Sequence, residues 1–535
     1  MAIGRRNFII TGGAATLGLS LATLATHKQA RARGFGELIP DPEGILDLPE
    51  GFSYQVLETV GDGMDDGYRV PGKPDGMACF PGPDNTLILM RNHEVGVGDI
   101  LNGPYALGQL PPAEAYEPAA MGGVSRLVVD ATTYARVSSN LVLVGTIRNC
   151  AGGPSPWGWL SCEENTDVNG EYRHGYTFVC PTDAESVLAP QRITGYGRYN
   201  HEAVAIDPSN YYAYLTEDRG DSCLYRFVPT DMAEPFVGQL QALRVVGVDE
   251  YETDGMAAGE VVDVEWVDID QPDPNGDTVR TEAQDKGAAI FVRGEGIWFF
   301  EGQIYVCSTS GGEVGAGQIF RLIDGDAPTL ELVVQSTDTA ELQSPDNITV
   351  APWGEVFVAE DGDGDNFIRW VTAEGQICTF ARNAASDSEF AGVCFSPDGK
   401  AMFVNIQADG LTLVVTGPFP MVMIPGDDTT DTDSTDDSEG TDSSDGSEGT
   451  DSSDSGEEST TSGEGESGTT SESDGEGSGD EIADDESGGT DETGAAVGDE
   501  AEGCSCSTSG ESSGLGALVT GLATVAFGAM IRDRE

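Results

Sequence analysis

The feature that most constrains this 535-residue chain is a segment that recurs six times. Each copy opens on a polar residue and runs through four or five mostly apolar ones. It turns at a Pro, Gly or Asp, and a second β-rich run ends on a polar or acidic group. The copies are Asp75–Glu94, Cys150–Glu164, Glu202–Asp218, Glu295–Thr309, Asp346–Asp361 and Phe390–Gln407. Short apolar runs between turn residues, with no long helical period, read as strands, so each copy is a hairpin of two. Six copies average roughly one per 50–60 residues, near the spacing of propeller blades. The reading is all-β: a six-bladed β-propeller over residues 35–425. The rival, an eight-stranded sandwich with insertions, leaves the six copies unexplained.

The repeat also locates chemistry. The innermost strand of each propeller blade lines the channel, so polar groups at the hairpin ends can converge at one mouth. The candidates are Asp75, Glu94, Cys150, Glu163, Glu164, Glu202, Glu217, Glu295, Asp346 and Glu360. A single Glu at a strand end is normally just solvated; repetition carries the argument here. Carboxylates gathered in such number do not all stay ionised without cations. Oxygen-rich sites suit hard cations such as Ca2+, or ferric iron where a thiolate joins. His93 and His201 each sit one step before a candidate Glu, so on a strand they point to the opposite face and read as packing groups. Asp361-Gly-Asp363-Gly-Asp365 resembles the start of a calcium loop but lacks its sixth-place glycine and twelfth-place glutamate.

Charge sorts the rest of the chain. With 93 acidic against 26 basic residues, the net charge of −67 excludes nucleic acid as the main partner. Of those acids, 29 lie in 426–503, which contains no Lys or Arg. That stretch of Asp, Glu, Ser, Gly and Thr buries too little apolar surface to fold and reads as a disordered acidic linker. Residues 1–32 carry Arg5-Arg6, a Gly-diluted apolar run and Ala30-x-Ala32, which read as a twin-arginine export signal with its cleavage site. Residues 504–535 place Cys504-Ser505-Cys506 before the apolar run Leu515–Ile531 and then Arg532 and Arg534. They read as a C-terminal sorting or anchor segment and resemble the myxobacterial sorting tail. The expected location is the periplasm or cell surface. The twin-arginine machinery is one partner, and membrane contact is through the C-terminal segment alone.

The strings RNHE (91–94), NCAGGPSPWGWLSCEEN (149–165), GRYNHEAVAIDP (197–208), VRGEGIW (292–298), GAGQIFRL (315–322) and SPDNITVAPWGEVFV (344–358) resemble the PhoX-type alkaline phosphatases. The likeness spans roughly residues 38–420. It implies a six-bladed propeller exported in folded form, with a site of Fe(III) and Ca2+ around a bridging oxo group. By resemblance, Cys150 is the thiolate on iron, Glu202 and Glu295 are metal carboxylates, and Arg293 holds the phosphate. Glu94, Glu163, Glu164, Glu217, Asp346 and Glu360 join as metal ligands through the repeat. The chain is shorter than the long enzymes of the family, and Arg148 stands where they carry an asparagine.

These residues imply metal-assisted hydrolysis of small phosphate monoesters. The cations would neutralise and orient the substrate, and Arg293 would bind it through two parallel hydrogen bonds. A calcium-dependent propeller lactonase or esterase would need the carboxylates without Cys150 and Arg293. A non-catalytic surface module would use calcium for stability alone. Cys162 is the rival thiolate; Cys150 is preferred because it opens its hairpin where Glu202, Glu295 and Asp346 open theirs. The other cysteines of the folded region read as buried small hydrophobes or as disulfides, with pairing open.

Overall fold

Each recurring segment forms an antiparallel strand pair. The six first strands are Pro74–Pro81, Asn149–Ser155, His201–Ile206, Gly294–Phe300, Pro345–Val350 and Phe390–Phe395. Their partners are Thr86–His93, Gly158–Glu163, Ala213–Glu217, Gln303–Ser308, Val356–Glu360 and Ala401–Ile406. Turn chemistry closes them. In the fourth, Phe300 faces Gln303 across Glu301 and Gly302, both at positive φ, the backbone that matches the twist of a two-residue hairpin. The computed structural model describes residues 34–372 and 375–420. The export signal, acidic linker and C-terminal anchor expected from the sequence lie outside the described residues.

The hairpins extend outward into sheets. The first adds Gly122–Asp130 and Arg136–Thr146; the second adds Thr177–Cys180 and Gln191–Ile193. The third and fourth lie at opposite ends of one nine-stranded sheet. Chain-distant strands complete the last two. Leu46–Pro49 joins the fifth hairpin's sheet, and Ser53–Thr59 joins the sixth's as its outer strand. The six first strands pack side by side in chain order, and the sixth returns against the first. Approach is close enough to demand glycine: a Cβ on Gly76 would lie 2.5 Å from Ala151 Cα, and one on Gly392 would lie 2.3 Å from Asp75 O. The arrangement is β-propeller-like, with one short α-helix, Val279–Asp285, among the described residues. Its several separate sheets are not the two facing sheets of a sandwich.

Apolar side chains fill the spaces between sheets. Ile88, Met90, Trp159, Tyr176 and Phe178 pack between the first and second hairpins' sheets. An aromatic group of Phe35, Phe52, Phe357, Trp370, Phe380, Phe395 and Phe419 ties the N-terminal segment to the last two. A buried polar clasp crosses the closure. Arg91 of the first sheet donates to Glu58 at 2.6 Å and to Thr412 at 2.6 Å, both in the sixth. All eight described cysteines are free thiols, which answers the pairing question for these residues.

Candidate metal centre

Strand pairing slips near the inner end of all six hairpins, one pair later in the sixth, where Ala391 still faces Asn405. Pro74 faces His93, but Met77 faces Arg91; Asn149 faces Glu163, but Gly152 faces Ser161. The same slip follows His201, Gly294, Pro345 and Ala391. Two residues on the first strand thus oppose one on the second, which is a β-bulge. A bulge breaks the two-residue alternation and re-aims a side chain. The first bulged residue is Asp75, Cys150, Glu202, Glu295, Asp346 and, in the sixth hairpin, Gly392.

Two further sets repeat with the same sixfold order. The first residue beyond each second strand is Glu94, Glu164, Asp218, Thr309, Asp361 or Gln407. Its backbone N–H donates to the carbonyl of the residue that leads the hairpin: Lys73, Arg148, Asn200, Arg293, Ser344 or Glu389, at 2.9–3.3 Å. Four leading residues hold left-handed backbones, with φ of 46° at Lys73, 51° at Arg148, 55° at Arg293 and 48° at Ser344. Each such residue costs about 1 kcal/mol, and strain of this kind gathers at functional sites.

Together the three sets build an acidic cluster. Donor atoms of Cys150, Glu164 and Glu202 lie within 4.8 Å of one another. The same holds for Glu202, Glu295 and Asp346, and for Asp346, Asp361 and Glu389. Glu202 and Asp346 each belong to two groups, so the three run on as one chain. The cluster's cations are arginines already bound within it. Arg148 donates to Glu94 at 2.9 Å and Glu164 at 2.5 Å. Arg293 donates to both oxygens of Asp218, at 2.8 and 2.9 Å, and to Glu295 at 2.9 Å. Asn200 donates to Glu164 at 3.1 Å, and Gln407 to Asp75 at 2.9 Å and Glu94 at 3.2 Å.

Burial sets the protonation state. It raises the carboxyls of Asp75, Glu164, Glu202, Glu295, Asp346, Asp361 and Glu389, and repulsion from neighbouring acids adds to it. Asp346 is pushed up to about 7 by burial and then by Asp361. Burial, then the Glu202 charge, also raises the Cys150 thiol. Nine carboxylates (those seven with Glu94 and Asp218) face two arginines. Bound cations reverse the balance by stabilising the ionised forms. The donor set divides chemically: the first group mixes sulfur with oxygen, and the other two are all oxygen. Asp346, Asp361, Glu389, Arg148 and Arg293 are only half-buried and mark the open side.

The structure brings together Asp75, Glu94, Cys150, Glu164, Glu202, Arg293, Glu295 and Asp346. It turns Glu163, Glu217 and Glu360 away from the cluster. Each is the last residue of its second strand, one step before Glu164, Asp218 and Asp361, so alternation sends it to the other face. There Glu163 accepts from His174 at 2.6 Å and from the Gly175 N–H at 3.0 Å. Glu217 accepts from Arg280 and Tyr225, each at 2.9 Å, and Glu360 from Arg369 at 2.8 Å. Cys162 packs in an apolar cluster with Leu160 and Tyr199, 3.5 Å from Thr177 Oγ1. His93 bonds the Gly72 carbonyl and Ser125; His201 stacks on Tyr199.

Sequence reasoning passed over Asp218, Asp361 and Glu389 as ligand candidates. The signal was present: Asp218 and Asp361 occupy the place of Glu94 and Glu164. Glu389 occupies the place of Arg148 and Arg293, and supplies an acid to the one hairpin whose bulge begins with glycine. Arg148 serves as the bridge between the acids of the first two hairpins.

The fold has counterparts among known proteins. No curated protein matches the chain significantly. Among solved structures, PhoX of Pseudomonas fluorescens, in complex with the transition-state analogue vanadate, superposes with a TM-score of 0.56 at 20% identity. It covers 70% of this chain and 96% of that one. A gluconolactonase of Xanthomonas campestris, XC5397, aligns at 12% identity over 72% of this chain and 98% of its own. Its TM-score of 0.37 is too low to bear on function. The alkaline phosphatase PhoX family matches residues 33–410, more than two thirds of the chain. The chain therefore belongs to the alkaline phosphatase PhoX family and is a metal-dependent phosphatase.

Proposed function

We propose that the protein hydrolyses small phosphate monoesters at the carboxylate and thiol cluster, loaded with Fe(III) and Ca2+. The observation that carries this reading is the chain of three overlapping donor groups sharing Glu202 and Asp346. The mixed group of Cys150, Glu164 and Glu202 suits iron, and the two all-oxygen groups suit calcium. Such ions, when bound, supply Lewis acidity to the phosphoryl oxygens. The chain's own part is to exclude water, hold the donors rigidly on bulged strands and position a guanidinium. Arg293, held by Asp218 and Glu295 at the open side, orients the phosphate and stabilises charge as it shifts to the equatorial oxygens.

The fold that does this is, in our reading, a six-bladed propeller. A bulge in each of the six hairpins, six leading-residue hydrogen bonds and the return of the sixth first strand against the first support that count. The domain is exported by the twin-arginine route and displayed on the acidic linker, with the C-terminal segment as its anchor. No helix among the described residues is long and apolar enough to cross a membrane.

The test is elemental analysis of the purified domain beside turnover of a chromogenic phosphate monoester. We expect iron and calcium in the protein, and activity that a chelator abolishes. Protein free of iron and inactive with excess calcium would refute the reading.

A further inference from the structure

Lys73 leads the first hairpin, as Arg148 and Arg293 lead the second and fourth. Its φ of 46° lies close to their 51° and 55°, so its side chain leaves the backbone in the same sense. In the repeat, a leading side chain reaches back to the end residue of the preceding hairpin. Arg148 reaches Glu94, Asn200 reaches Glu164, and Arg293 reaches Asp218. For Lys73 the preceding hairpin is the sixth, and its end residue is Gln407 rather than an acid. Gln407 is a donor here and gives its amide to Asp75 and Glu94. Glu94 gives its other oxygen to Arg148. Lys73 thus loses both acids that its position would otherwise bring.

The consequence is an ammonium with no internal partner. Lys286 pairs with Asp270 and Glu282, and Lys400 pairs with Asp398. Lys73 is half-buried and makes no side-chain hydrogen bond or ion pair among the described residues. In so acidic a domain this is the exception. It also leads the one hairpin that contributes no residue to the three donor groups, which span the second to sixth.

We infer that Lys73 is a specificity residue that takes a second anionic group, a carboxylate or another phosphate, on the leaving group of the substrate. This rests on the phosphatase reading of the site. The transferred phosphoryl group belongs to the donor groups and Arg293. A substrate with a further negative charge would otherwise meet a rim of carboxylates, and Lys73 offers it a cation that no acid of the described residues pairs.

The test uses non-hydrolysable phosphonates and the metal-loaded protein. Calorimetry compares phenylphosphonate with 3-carboxyphenylphosphonate and benzene-1,3-diphosphonate on wild type, Lys73→Gln and Lys73→Arg. We expect at least one second anion to tighten binding to wild type about tenfold, the factor that 1.4 kcal/mol represents. Lys73→Gln abolishes that gain and Lys73→Arg keeps it. The anion with the larger Lys73-dependent gain identifies the group. An unchanged gain in Lys73→Gln, or no gain in wild type, overturns the inference. Turnover of phenyl phosphate by wild type tests the phosphatase reading separately, so the two can fail independently. Gln407→Glu returns an acid to Lys73 and should also lower the gain, without altering Lys73 itself.

Discussion

Stripping the cations from the site should invert the pH dependence of fold stability. Burial and neighbouring acids hold seven carboxyls of the cluster above their ordinary range, and Asp346 reaches about 7 from 3.8. The unfolded chain releases these protons near pH 4. Between roughly pH 4 and 7 the native state therefore holds protons that the unfolded state has lost, and stability falls as pH rises. The stabilisation is complete below the unfolded value and gone above the folded one. For Asp346 alone, a shift of about three units corresponds to roughly 4 kcal/mol. A folded unit of roughly 390 residues unfolds with an entropy near 0.8 kcal/mol/K, so that free energy is about 5 °C of Tm. Scanning calorimetry of chelator-treated protein between pH 4.5 and 7.5 should show Tm falling by at least that much. Added calcium should remove the fall, and Asp346→Asn should reduce it by about 5 °C. A Tm that stays flat or rises in the stripped protein, or an equal slope in Asp346→Asn, would refute the reasoning.

Three other outcomes follow from the placement of side chains. Cys150→Ser should abolish any iron–thiolate absorption band, whereas Cys162→Ser, in an apolar cluster, should leave the band and lower stability only; the reverse pattern in visible spectra reassigns the ligand. Glu202→Gln should reduce bound metal measured by mass spectrometry, because it serves two donor groups, while Glu360→Gln should keep the metal and lower the urea midpoint through the Arg369 pair. Arg91→Met leaves the buried Glu58 carboxylate with Arg136 as its remaining ion-pair partner at the closure and should cost about 1.5–3 kcal/mol in urea unfolding; a loss under about 0.5 kcal/mol would mean the clasp is not structural.

The hairpins were legible because turn residues and short apolar runs are local signals, and their recurrence announced a repeat. The site was legible at the bulge positions, where Asp75, Cys150, Glu202, Glu295 and Asp346 open five of the six copies. It was misjudged at the other end of the hairpin. Glu163 and Glu164 are equivalent on paper, as are Glu217 and Asp218, or Glu360 and Asp361. Which of each pair faces the ring depends on where the strand ends, and composition does not record that. Glu389 escaped notice for a related reason: its hairpin has glycine at the bulge, so the acid arrives from the leading position instead.

The sequence by itself determined that the protein is a β repeat, that its chemistry lies at hairpin ends, and that the family motifs point to phosphate. Tertiary structure decided which end residues meet. A β-bulge near the inner end of each hairpin turns five side chains inward, strand alternation turns Glu163, Glu217 and Glu360 outward, and ring closure brings Gln407 to Asp75 and Glu94. Each of these depends on strands far apart in the chain, and the charges they bring within a few ångströms interact only once the ring has closed.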